Sequence, residues 1–142
     1  MQNGYVTIET HPEHPGQIRI ITSEIKPEPP QGADGGTIRY IARFNDVEAA
    51  RRHIHEVLKR NCEDIDTRRY KTEIVQAIAA AESVELKHER TWMDPSLDAD
   101  ALAAIKEKVD KSHQRHRLVD HIARIVGAIA VALLIMRMLK VF

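Results

Sequence analysis

The stretch IARIVGAIAVALLIMRML, residues 122–139, decides the architecture of this chain. Arg124 and Arg137 stand near its two ends, and residues 125–136 between them carry no polar side chain. A helix that spans a bilayer needs about 20 residues, with a lower limit near 17. Eighteen residues rise about 27 Å at about 1.5 Å each, close to the hydrocarbon thickness. Both arginines lie within a turn of an end, from which their heads can reach the lipid headgroups.

The window contains nine Ile, Val or Leu residues. At mid-membrane they sum to about −3 to −5 kcal/mol, whereas one central arginine costs about 2.5 to 3.5 kcal/mol. Position therefore decides insertion, and the arginines stand where they are tolerated. Ile122, Ile125, Val126, Ile129, Val131, Leu133, Leu134 and Ile135 cover the whole circumference. A helix lying flat on a membrane, or packed on one side, keeps a polar face. The pattern predicts a single-pass membrane anchor over residues 122–142. Ala123, Gly127 and Ala130 follow i, i+4, i+7 spacing, and Ala128 and Ala132 form a second small pair. Such faces let helices approach closely in lipid and predict a helix-docking surface.

The anchor follows a basic stretch, residues 95–121, with Lys106, Lys108, Lys111, Arg115 and Arg117 leading to Arg124. Lys111, Arg115, Arg117, Arg124, Arg137 and Lys140 are the expected contacts with lipid headgroups. Enrichment of Lys and Arg on the cytoplasmic flank of spanning helices predicts that the N-terminal domain faces the cytoplasm. The opening residues, Met1-Gln2-Asn3-Gly4, lack the basic and apolar regions of a signal peptide. Twenty-one Lys and Arg balance twenty-one Asp and Glu. That balance argues against a dedicated nucleic-acid binder. The single cysteine, Cys62, rules out an internal disulfide framework.

Residues 1–94 read as a small soluble α+β domain. Residues 5–10, 17–26 and 37–44 alternate as strands, with a change of phase after Ile20 that suggests a bulge. In the third, Ile38, Tyr40, Ala42 and Phe44 share one face and Arg39 and Arg43 the other, which predicts a sheet with one wet face. The joints at residues 11–16 and 27–36 are rich in Pro and Gly, the second reading as a mobile loop. A three-stranded antiparallel sheet is expected.

Two helices should pack on it. The first is capped by Asn45 with Glu48 as capping-box partner, and buries Val47, Ala50, Ile54, Val57 and Leu58. The second runs from Asp66 or Thr67 towards Glu89 with Tyr70, Ile74, Ile78 and Ala81 inward. After a loop at residues 91–95, Ser96 or Asp98 caps a long helix that carries no breaker up to the anchor. Trp92 in that loop either covers the core edge or contacts a partner.

Eight histidines raise the question of a metal. His11 and His14 stand in a turn, His53 and His55 diverge on a helix, and His113 and His116 share a helix face. None has the third-ligand spacing of a zinc motif, so no metal is expected. Cys62 has no redox partner, and Gly32 to Gly36 lacks the lysine and the following helix of a phosphate loop. No cofactor is expected.

The residues point to a non-enzymatic, tail-anchored accessory or adaptor subunit of a larger membrane complex. The expected partners are the lipid bilayer and other membrane subunits, with no nucleic acid. Two other readings stay open: a soluble homo-oligomer that packs its apolar C-terminal helices together, and a membrane-tethered small enzyme or anionic-ligand-binding domain that uses Arg39, Arg43, Arg51 and Arg52.

Overall fold

The computed structural model describes residues 1–139. Six strands form one antiparallel sheet: β1 (Gly4–Thr10), β2 (Gln17–Ser23), β3 (Thr37–Phe44), β4 (Cys62–Asp64), β5 (Arg69–Lys71) and β6 (His88–Met93). Their order is β4-β5-β2-β1-β3-β6. Three helices accompany them: α1 (Val47–Leu58), α2 (Ile74–Glu82) and α3 (Ala99–Leu139). The chain separates into two compact units, Met1–Val109 and the remainder of α3 from Asp110 onward.

The expected three-stranded sheet is thus the centre of a six-stranded one. β1 and β2 form a hairpin, and β3 returns to pair with the other side of β1. Gly16, at φ 74°, closes the hairpin turn, where the left-handed conformation favours glycine. The second predicted helix begins later than expected. Residues 62–71 form the short β4–β5 hairpin instead, which extends the sheet beyond β2. Asp64 Oδ1 accepts hydrogen bonds from the backbone N–H of Asp66 at 2.9 Å and of Thr67 at 3.3 Å. This Asx-type turn competes with helix at the point where helix was expected to start. Tyr70 remains a core residue, but on β5.

Trp92 lies in β6, where it pairs with Ile41 of β3, rather than in a loop. Asp46, not Asn45, caps α1 by accepting from the Ala49 N–H at 3.1 Å. Glu48 binds Arg51 at 2.8 Å instead of closing a capping box. Asp98 caps α3, accepting from the Ala101 N–H at 2.7 Å.

The main core lies between one face of the sheet and the helices. Val6 and Ile8 of β1, Ile18 and Ile20 of β2, and Tyr40, Ala42 and Phe44 of β3 meet Ala50, Ile54 and Leu58 of α1. Val57 of α1 turns outward. The alanines of α2, Ala77, Ala80 and Ala81, let its backbone lie close to its neighbours. Ile105 of α3 completes the cluster, and Val109 packs against it. Each large aliphatic side chain here contributes about 1.5–3 kcal/mol by leaving water.

The opposite face of the sheet is wet only in part: Arg43 is exposed, but the centre of the face is covered. The bulge falls in β3 rather than β2: Tyr40 pairs with Ile8, but Ile38 pairs with Glu9, so Arg39 is the extra residue. The slip moves Ile38 out of the main core and onto the face that carries Thr7, Glu9 and Ile21. Residues 24–36 fold across this face as a strap. The Ile38 N–H donates to the Pro30 carbonyl at 2.9 Å, and the Gly32 N–H donates to that of Gly36 at 2.9 Å. Thr7, Glu9, Ile38 and Ile41 are all buried.

Candidate functional site

Residues 122–139 form a continuous part of α3. Every residue from 114 to 139 is exposed. Ile122, Ile125, Val126, Ile129, Val131, Leu133, Leu134 and Ile135 retain between 49% and 63% of their accessible surface. That is what the turns of a helix leave uncovered when nothing else packs on it. About a dozen such residues present on the order of 1,000 Å² of apolar surface, against a few hundred for an ordinary soluble protein. Backbone groups inside the helix are satisfied within it, as a segment in hydrocarbon requires. Among the described residues, α3 is the one helix long and apolar enough to cross a membrane.

Ala123, Gly127 and Ala130 lie along one side of this segment by their spacing. A Cβ added at Gly127 would meet nothing within 4 Å, so the chain's own packing does not require glycine there. Arg124 and Arg137 stand thirteen residues apart, about 20 Å along the axis. Lys111, Arg115 and Arg117 precede them on the same helix and are exposed. Lys140 lies outside the described residues.

In the first unit, polar side chains are tied to one another. The buried Tyr40 hydroxyl donates to Glu82 at 2.7 Å, and Arg90 donates to the same carboxylate oxygen at 2.8 Å. Burial, reinforced by the Glu82 charge, raises the Tyr40 hydroxyl far above the ordinary phenol range. At Glu82, burial works to raise the carboxyl, but the bonds from Arg90 and Tyr40 outweigh it and hold it below the usual range. The triad joins β3, α2 and β6. Arg39 pairs with Asp94 at 2.6 Å, and Arg51 with Glu48. Arg39 and Arg51 thus face carboxylates of their own chain, while Arg43 and Arg52 are exposed.

The histidines separate in the same way. His11 Nδ1 accepts from the Glu13 N–H at 3.1 Å, and Nε2 donates to the Asp34 carbonyl at 2.7 Å, so both ring nitrogens are engaged. His55 Nδ1 lies 2.9 Å from the Tyr70 hydroxyl. Among the described residues no three His, Cys, Asp or Glu side chains form a group that could hold a metal ion. Cys62 opens β4 as a free thiol packed against the core. Trp92, half-buried, stands beside Ile41 on the strap side of the sheet.

One feature escaped the sequence pattern. Glu9, a strand carboxylate, is 5% exposed and lines two clefts. The smaller, about 120 Å³, includes His11, His14, Arg19, Asp34 and Arg69 in its lining. The larger, about 600 Å³, lies under the strap. The neighbouring run of Pro and Gly was the available signal, but it marks a loop without saying what the loop covers. No protein-family model matches this chain, and no curated protein or solved structure is detectably similar to it.

Proposed function

We propose that this chain is a single-pass membrane protein whose small α+β domain stands on the cytoplasmic side and serves as a non-catalytic adaptor or accessory subunit. The carrying observation is the apolar helix at residues 122–139, whose most apolar window is 0% buried. Surface of that extent needs a cover, and an all-round apolar helix of spanning length suits lipid. The basic residues ahead of it support the cytoplasmic orientation. The small side chains at Ala123, Gly127 and Ala130 support docking against another membrane helix.

Alkaline carbonate extraction tests the anchor. The full chain stays in the membrane pellet, and a variant lacking residues 125–142 moves to the supernatant. Recovery of the full chain in the supernatant as a discrete oligomer would instead support helices packed against copies of themselves. Purification in mild detergent tests the accessory role: other membrane subunits co-purify, and a lone monomer would refute that role.

A further inference from the structure

In the first unit Arg19, Arg39, Arg51, Lys59 and Arg90 each pair with a carboxylate. In the second unit Lys111, Arg115, Arg117 and Arg124 make no such pair among the described residues. All four are exposed. The same stretch of α3, residues 110–124, carries two carboxylates, Asp110 and Asp120, so cations lead four to two.

By their spacing Lys111, Arg115, Leu118 and Ile122 fall on one side of the helix, and Asp120 falls on the other. The basic side therefore runs without a break into the apolar segment. Counted from Ile122, Arg117 stands about 8 Å along the axis, Arg115 about 10 Å and Lys111 about 16 Å. Headgroups occupy about 5–8 Å beyond the hydrocarbon on each side. Charges act across about 8 Å of physiological salt solution. Arg117 and Arg115 thus stand at or just above the headgroups, and their long stems close the gap. Lys111 stands about one screening length higher. Asp120 lies three residues from Arg117 and four from Arg124, and these two cations outnumber it.

Resting on the membrane reading above, we infer that this stretch selects anionic lipid. Anionic headgroups gather around Arg115, Arg117 and Arg124, and Lys111 adds a weaker pull from farther out. Guanidinium groups bond phosphate and carboxylate oxygens in pairs, whereas a choline headgroup brings its own cation. Each basic residue near an anionic surface favours it about fivefold. An acidic protein could meet the same charges, but a bilayer holding residues 122–139 always brings headgroups to this part of the helix.

Electron spin resonance tests the selection, with the full chain reconstituted in phosphatidylcholine bilayers. Chain-labelled phosphatidylserine and chain-labelled phosphatidylcholine are compared, and lipid against the helix gives a motionally restricted component. The serine lipid should exceed the choline lipid in that component about twofold or more at low salt. The excess should shrink in about 1 M NaCl, where the screening length is about 3 Å. Lys111→Gln/Arg115→Gln/Arg117→Gln should remove about half of the excess or more, with helicity by circular dichroism unchanged. Arg52→Gln/Arg60→Gln, which removes two exposed cations of the first unit, should leave the excess in place. Equal restriction of both lipids would overturn the selection and leave an acidic protein as the counterpart of these cations. An excess undiminished in the triple variant, or lost equally in Arg52→Gln/Arg60→Gln, would overturn it too, and in all three cases the membrane reading would stand. No restricted component with either lipid would overturn both.

Discussion

An arginine at position 130 would stand eight residues from the Ile122 end of the apolar segment and nine from the Leu139 end. Those separations are about 12 Å and about 14 Å along the helix, too deep for the guanidinium to reach the headgroups easily. Arg124 and Arg137 are each two residues, about 3 Å, from an end. The Ile, Val and Leu residues contribute about −3 to −5 kcal/mol to insertion, and a central arginine opposes it by about 2.5 to 3.5 kcal/mol. Ala130→Arg therefore leaves between about +0.5 and −2.5 kcal/mol. At about 1.4 kcal/mol per factor of ten, partition into the bilayer falls roughly 60- to 300-fold. Met138→Arg, one residue from the end, is the matched control and should stay embedded. Alkaline carbonate extraction followed by immunoblotting of pellet and supernatant reads the outcome. If Ala130→Arg leaves the ratio of pellet to supernatant unchanged, lipid is not the medium around this helix.

Three further outcomes concern the domain. Ile54→Ala, at a site with 0% exposure, should lower unfolding free energy by about 2–5 kcal/mol in urea denaturation. Asp46→Ala removes the cap of α1 and should cost about 1 kcal/mol in the same assay. Glu82 is held below its ordinary titration range in the folded state, so its contribution is complete above that range. The contribution is lost as pH falls through the lowered folded value, because the unfolded chain then binds the proton more readily. Denaturation midpoints measured from about pH 7 to about pH 3 should fall less steeply in Glu82→Gln than in the unmodified chain. Equal slopes would refute the role assigned to the Tyr40–Glu82–Arg90 triad.

The strongest patterns were readable because one physical effect dominates each. Residues 37–44 alternate cleanly and form β3 over the same span. The apolar helix declares itself by composition alone. The peripheral strands carried no such signal. β4 and β5 are three residues each, rich in charge, and owe their existence to pairing with each other, to the pairing of β5 with β2 and to the turn around Asp64. β6, His-Glu-Arg-Thr-Trp-Met, lacks the β-branched alternation of an isolated strand and is held by β3. The burial of Glu9 followed from a bulge and a loop path that no local pattern encodes. The apolar helix was therefore legible and the cleft was not: one depends on side-chain chemistry along a single helix, the other on distant segments meeting.

The strand order gives β6 a mechanical position. It is the outermost strand beside β3 and also the last strand before α3 in the chain. Tension applied through α3 would reach the docked turns around Ile105 first and then β6 at its border with β3, before any other strand. The four strands around β1 would hold while that border gave way, so a tug on the helix could expose the edge of β3 without unfolding the centre.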